Sequence, residues 1–382
     1  MKTKIEILFD YLQNNKWYLF FLLIICISQI LLAGRANLDN YPAGHDINEY
    51  RKLALSFPQI DFSVAKPFIH RIFAPFLVGL LFNNVDTGFY YVNFFFSILF
   101  VVLLYYFFLK FGISKKISFF ITVAFIFNRY FIPYLAFEPY RVLDIITATI
   151  LLLSLLLLTE KKFVYIFIIS VIGVLAKEVA LLIIPVGLSY IYFTEPENKK
   201  ALFVFAGFSV ILILIFLGIR FFVPSNQGAS LNTAFVENWG KVISVEAIVK
   251  QLFIAYNPLF LLPVLQFKKY LIFNKKYPHF FILLLFVLLS SLFGGDKERL
   301  MLPYAPVYYL FIASLFQDID DIKKIKPLEI IIILIISLLS NMHHIWGLIH
   351  LLSREYSLIF ALAGGILILG IYIKMKADVI QK

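Results

Sequence analysis

Apolar runs long enough to cross a lipid bilayer recur along this chain of 382 residues, and that recurrence decides its solvent before any motif is weighed. A helical span needs roughly 20 apolar residues, because the hydrocarbon core is about 30 Å thick and a helix rises about 1.5 Å per residue. Inside lipid each backbone N–H and C=O must be satisfied within its own segment, so such runs are helices. Hydrophobic residues fill 62% of positions and charged ones 15%, too few polar groups to surface a sizeable soluble domain. The reading is an all-α polytopic membrane protein, one transmembrane domain over 1–382. Spans are expected at 17–33, 89–109, 117–133, 141–158, 163–176, 179–193, 201–222, 250–267, 278–293, 302–316, 327–341 and 357–374, about 12 transmembrane helices. The single cysteine, Cys26, lies within the first run and excludes an intrachain disulfide.

Charge sets the orientation. The segments that alternate on the side of the N-terminus collect Lys2, Lys4, Lys16, Lys110, Lys115, Lys116, Lys161, Lys162, Lys199, Lys200, Lys268, Lys269, Lys275, Lys276, Lys323, Lys324, Lys326, Lys374, Lys376 and Lys382, and no arginine. By the positive-inside rule both termini are cytoplasmic, in a plasma (inner) membrane. The net charge of +11 is explained by these lysines and calls for no nucleic acid partner. Every arginine (Arg35, Arg51, Arg71, Arg129, Arg141, Arg220, Arg299, Arg354) falls on an outer loop or outer helix end. A planar guanidinium with a fixed fork of donors suits phosphate and carboxylate, so the outer face reads as an anion-handling surface. Arg35, Arg220 and Lys250 are read as snorkelling helix ends.

Residues 67–82, PFIHRIFAPFLVGLLF, are the exception. Counting them as a span would put the later lysine clusters outside, and they are short, with Pro75 internal. They read instead as a surface helix in the first outer loop, 35–88. The same loop holds an earlier amphipathic helix starting at Asp46, with Ile47, Tyr50, Ala54 and Phe57 on one face and Asp46, Asn48, Glu49, Arg51 and Lys52 on the rest. Asp46 at that position is either a helix cap or a functional carboxylate. A second large outer loop, 224–248, has the Gly, Ser and Asn of a lid or a passive connector.

Further charges sit where apolar sequence makes them costly. Lys177 and Glu178 lie between two apolar runs without turn residues, and read as a mutual pair or as cavity-facing groups. Glu138, Arg141 and Asp144 cluster at the second outer connection, Arg141 and Asp144 three apart at a helix start as an ion pair. His343, His344 and His350 have no carboxylate or cysteine nearby to complete a metal set.

The order of these elements resembles the GT-C superfamily of membrane glycosyltransferases, in layout similar to protein O-mannosyltransferases and lipid A aminoarabinose transferases. A first span leads to an acidic residue, Asp46, heading an amphipathic helix, then to Lys66-Pro67 opening a second surface helix. LAKEVALLIIP, with Lys177 and Glu178, and KERLMLPYAP, with Arg299, are similar in position to later superfamily motifs. Departures are His45 where the pattern often has a second acid beside Asp46, and Ala65 before the Lys-Pro. The resemblance implies transfer of a sugar from a polyprenyl-phosphate donor in the membrane lipid to a glycan, lipid or protein acceptor on the outer face. It implies Asp46, with Glu49 beside it, as the catalytic carboxylate, and Lys66, Arg71, Lys177 and Arg299 as binders of the donor phosphate. His45, His70, Glu138, Arg141, Glu178, Tyr304 and Trp239 are then candidate substrate contacts, together with Tyr50 and Tyr140. No cofactor is required by the pattern, and a divalent cation is left open. Two other classes compete: an O-antigen-type polymerase or ligase, which would carry a large central outer loop rich in Arg and His, and a secondary transporter, which would show related halves with charges near the midplane.

Overall fold

In the computed structural model the described residues are 4–36, 45–223, 245–291, 299–341 and 354–380, and every regular element among them is helical. The helices are α1 (Lys4–Ala33), α2 (Asp46–Ser56), α3 (Phe73–Leu81), α4 (Val85–Lys110), α5 (Lys115–Ile126), α6 (Ile132–Phe137), α7 (Val142–Thr159), α8 (Phe163–Ala176) and α9 (Ile183–Thr194). Then come α10 (Lys199–Phe222), α11 (Val245–Tyr256), α12 (Leu261–Leu265), α13 (Phe267–Lys276), α14 (Pro278–Ser290), α15 (Ala305–Ile322), α16 (Pro327–Leu339) and α17 (Arg354–Ile380). Local chemistry sets several starts: Asn84, Ser114 and Asn198 accept from the backbone N–H three residues on, opening α4, α5 and α10.

Among the described residues six helices are long and apolar enough to cross a membrane: Asn14–Ala33, Val85–Lys110, Pro139–Thr159, Lys199–Phe222, Arg299–Ile322 and Leu358–Ile380. The pair α13 and α14, bent by 108°, would make a seventh. Phe163–Ala176, Glu178–Thr194 and Pro327–Leu339 are apolar but shorter, so the count of full-length helices is about half the twelve spans expected. Hydropathy runs straight through places where the backbone breaks. The run 117–133 is interrupted after Ile126, where the Asn128 side chain accepts from the Tyr130 N–H, and the run 250–267 breaks at Asn257–Pro258.

Residues 67–82 fold as a 3-10 turn, Phe68–His70, followed by α3. Nine residues of helix extend about 13 Å, too short to cross a membrane. α3 packs on α2 through Gly79, where an added Cβ would lie 2.3 Å from the Ala54 carbonyl oxygen and 2.8 Å from Phe57 Cβ. Gly79→Val should therefore cost about 1–3 kcal/mol by overpacking. The check is thermal melting of the detergent-solubilised protein, and an unshifted melting temperature would remove this contact from the fold.

α7 and the stretch leading into α15 are the most enclosed long helices, whereas α1, α10 and α17 leave most of their surface uncovered. α8 and α9 form a hairpin: Lys161 before α8 pairs with Glu195 after α9 at 3.1 Å, which places Lys177 and Glu178 at the opposite, apical end. Ion pairs divide the bundle in the same way. Lys110–Glu160, Lys116–Asp320, Lys161–Glu195, Lys269–Asp318 and Lys323–Asp378 join residues of the lysine-bearing segments. Arg51–Asp86, Arg71–Glu178, Arg141–Glu138, Lys177–Asp144 and Arg299–Asp144 join residues of the arginine-bearing segments. None of these pairs links one set to the other.

Candidate functional site

Three segments remote in sequence meet at the arginine-bearing end. Asp144 sits in the first turn of α7, Lys177 at the apex of the α8–α9 hairpin, and Arg299 opens the 3-10 turn Arg299–Tyr304 that leads into α15. Lys177 Nζ donates to Asp144 Oδ1 at 2.5 Å, and Arg299 Nη1 donates to Asp144 Oδ2. The side chains of Asp144, Lys177 and Arg299 are only 10%, 8% and 14% exposed, so this charge is held largely out of water. They line a small cleft with Thr147, Val179, Leu300, Leu302 and Pro303.

A second cluster adjoins it. Arg71 donates to Glu178 through Nε at 3.1 Å and Nη2 at 2.5 Å, and Arg220 Nη2 approaches Glu178 at 3.7 Å. Arg71 Nη1 also donates to the Tyr50 hydroxyl at 3.1 Å. Burial pushes the Tyr50 phenol up to about 12, so it keeps its proton while accepting from Arg71. Lys177 lies within electrostatic range of Arg71 and Glu178, and Tyr50 within range of both Asp46 and Asp144. The two clusters and the start of α2 thus share one neighbourhood.

Asp46 occupies the first turn of α2, with His45 as the N-cap residue, so the reading of Asp46 as the cap is corrected. Partly buried, Asp46 makes no hydrogen bond or ion pair among the described residues. Glu49 differs. It is 7% exposed, one oxygen accepting from the Ala65 N–H at 2.7 Å and the other from Lys52 Nζ at 2.8 Å, so its carboxylate ties the loop before Lys66 to α2. That corrects its placement on the polar side of α2. Lys66 is exposed and makes no ion pair among the described residues.

Other expected pairings change. Asp144 pairs with Lys177 and Arg299 instead of Arg141, and Arg141 with Glu138. Lys177 and Glu178 do not pair with each other: Lys177 is extended (φ −164°, ψ 143°), which sends successive side chains apart. Arg220, expected as a snorkelling helix end, is on Glu178. Tyr304 is fully buried with its hydroxyl 2.7 Å from that of Tyr270, and does not line the cleft. His70 is buried with Nε2 3.0 Å from the Val223 carbonyl, and burial lowers its pKa, which favours the neutral ring. His45 stands edge-on to Tyr140, Nε2 3.4 Å from a hydroxyl that also reaches Glu138 at 3.0 Å. Trp239, His343, His344 and His350 lie outside the described residues, as does most of the 224–248 loop.

Asp144 is the functional candidate whose place the sequence obscured, because an arginine three residues earlier offered a ready partner. Thr147, one turn on, carried no signal beyond its spacing. Among the described residues no three His, Cys, Asp or Glu side chains gather as a metal-ligand set. No protein family, curated protein or solved structure matches this chain.

Proposed function

We propose that this chain is a membrane glycosyltransferase of GT-C type, moving a sugar from a polyprenyl-phosphate donor to an acceptor at the outer face of the plasma membrane. The observation that carries this reading is the convergence of Lys177 and Arg299 on a cleft wall, with Arg71 alongside and the uncommitted carboxylate of Asp46 on the adjoining helix. Fixed cations in a poorly solvated cleft favour an anion far more than the same cations in water. On this reading the cluster lies at the depth that a lipid-borne anion requires. From Asp144 to Thr159, α7 rises roughly 22 Å, so with its lysine-bearing end at the cytoplasmic boundary the cleft lies some 8 Å inside a core of about 30 Å. A prenyl tail then stays in lipid while its phosphate meets the cations.

In the reaction so read, Asp46 takes the proton from the acceptor hydroxyl as that oxygen attacks the anomeric carbon. The bond from that carbon to the donor phosphate oxygen breaks, and its electron pair becomes negative charge on the leaving phosphate, which Lys177 and Arg299 stabilise. Lys66, exposed beside the loop held by Glu49, and Arg71 complete the cationic rim. The acceptor is a glycan, lipid or protein nucleophile, and a divalent cation is compatible with the scheme without being required by it.

Lys177→Ala and Arg299→Ala should each weaken binding of a prenyl phosphate by on the order of tenfold or more, since a charge-assisted hydrogen bond is lost in each. Titration of the solubilised variants measures this, and unaltered affinity in both would end the phosphate-site reading. The reading also places both termini in the cytoplasm. Cysteine accessibility at positions 60, 235 and 296 should then report the outer side, and at 115, 199 and 272 the cytoplasmic side. Labelling of position 115 from outside would reverse the scheme.

A further inference from the structure

At the opposite, lysine-bearing end of the bundle, α13 lies across the helices it joins. Its axis turns by 108° into α14, and α14 sets out beside the lysine-bearing end of α9, the His279 ring 5.0 Å from that of Tyr190. With α14 standing along the membrane normal, α13 runs nearly in the plane of the bilayer surface. Lys269 Nζ donates to Asp318 of α15 at 2.5 Å, and Gln266, just before the helix, accepts from Lys376 of α17 at 3.2 Å. Tyr270 and Phe273 pack on Phe311, ring centroids 5.0 and 5.4 Å apart. These contacts use one side of the helix. The other side carries Phe267, Leu271 and Ile272, which are 57%, 46% and 65% exposed, interleaved with the exposed Lys268, Lys275 and Lys276. Those three lysines make no ion pair among the described residues.

We infer that α13 is an in-plane anchor that binds the headgroups of anionic phospholipids in the leaflet at the lysine-bearing end. A helix at the bilayer boundary sinks its apolar side chains among the acyl chains, and lysines on the same face reach along their own apolar stems to the phosphates. A zwitterionic headgroup brings its own cation and leaves the lysines without net counter-charge. An anionic headgroup supplies that charge. Lys268 and Lys275 stand seven residues apart, roughly 10 Å along the helix, so they engage separate headgroups. Lipid already stands at this level, so no partner has to be recruited from solution.

The test places a bimane dye on Ile272→Cys, in a Cys26→Ser background, of the full chain in phosphatidylcholine nanodiscs. Its quenching is read with spin-labelled phosphatidylglycerol and with spin-labelled phosphatidylcholine. With the lysines intact, half-quenching should need on the order of tenfold less phosphatidylglycerol than phosphatidylcholine. Lys275→Gln with Lys276→Gln should lose most of that preference. Lys199→Gln with Lys200→Gln removes the same charge from another segment of the same end and should keep it. Both pairs are exposed, so neither change should disturb the fold. Raised salt should shrink the preference as the α13 substitutions do. Equal quenching by the two lipids with the lysines intact would overturn the headgroup site, as would a preference that survives Lys275→Gln with Lys276→Gln. Quenching by neither lipid would place α13 away from the bilayer, leave its apolar side to a soluble partner and overturn the inference as well.

Discussion

Asp46→Asn should lower sugar transfer by about 10²–10⁴-fold, the range that a general base supplies, while the protein melts where the wild type does. The substitution keeps the size of the side chain and removes its charge. Structurally little depends on that charge. Asp46 makes no hydrogen bond or ion pair among the described residues, and α2 is anchored by the burial of Ile47, Tyr50, Leu53 and Ala54. The loss of an acid from the first helical turn costs about 0.3–1 kcal/mol at most. Glu49→Gln is the control: glutamine still accepts from the Ala65 N–H, and the half-exposed partner Lys52 limits the lost pair to roughly 1 kcal/mol or less. Transfer by Glu49→Gln should stay near wild type. Radiolabelled sugar transfer measured beside melting curves separates the outcomes, and a folded Asp46→Asn protein with normal transfer would end the base mechanism.

Asp144→Asn should be the most destabilising single change in the site, by about 3–5 kcal/mol, the usual cost of leaving buried charge without its counter-ion. Lys177 and Arg299 would then face a neutral amide and repel each other across it. Adding Lys177→Gln should recover part of the loss, because one orphaned cation is removed, and the two changes should be far from additive. A bound phosphate should stabilise the Asp144→Asn variant more than the wild type, since the ligand restores the missing negative charge. Melting temperatures of the single and double variants, with and without farnesyl phosphate, give all three comparisons. An Asp144→Asn protein as stable as the wild type would show that Asp144 does not organise the cluster.

Much of the arrangement was legible because charge in apolar sequence is expensive. Lys177 is marked by its place between two apolar runs and Arg299 only by the superfamily resemblance, and the arginine and lysine pairings named above respect the division between the two kinds of segment. The helix at Asp46 was visible from the spacing of Ile47, Tyr50 and Ala54, which are buried, while Phe57, read on the same face, caps the helix end and is only partly buried. Partner choice was another matter. Neighbours in sequence suggested Arg141 for Asp144 and Lys177 for Glu178, yet Asp144 is paired over separations of 33 and 155 residues, and Glu178 over 107. Glu49 looked solvated because the Ala65 N–H that it accepts from comes from a loop sixteen positions away.

Composition and periodicity alone determined that this chain is helical and membrane-bound, where its surface charges divide, and which residues are too polar for their surroundings. Those properties are local, set by the transfer of each segment between water and lipid. Only the tertiary structure decided where apolar runs break and that Asp144 is the carboxylate around which the cations gather. An ion pair is chosen by distance in space, and distance in space depends on how α7, the α8–α9 hairpin and the segment before α15 pack, which no single stretch of residues encodes.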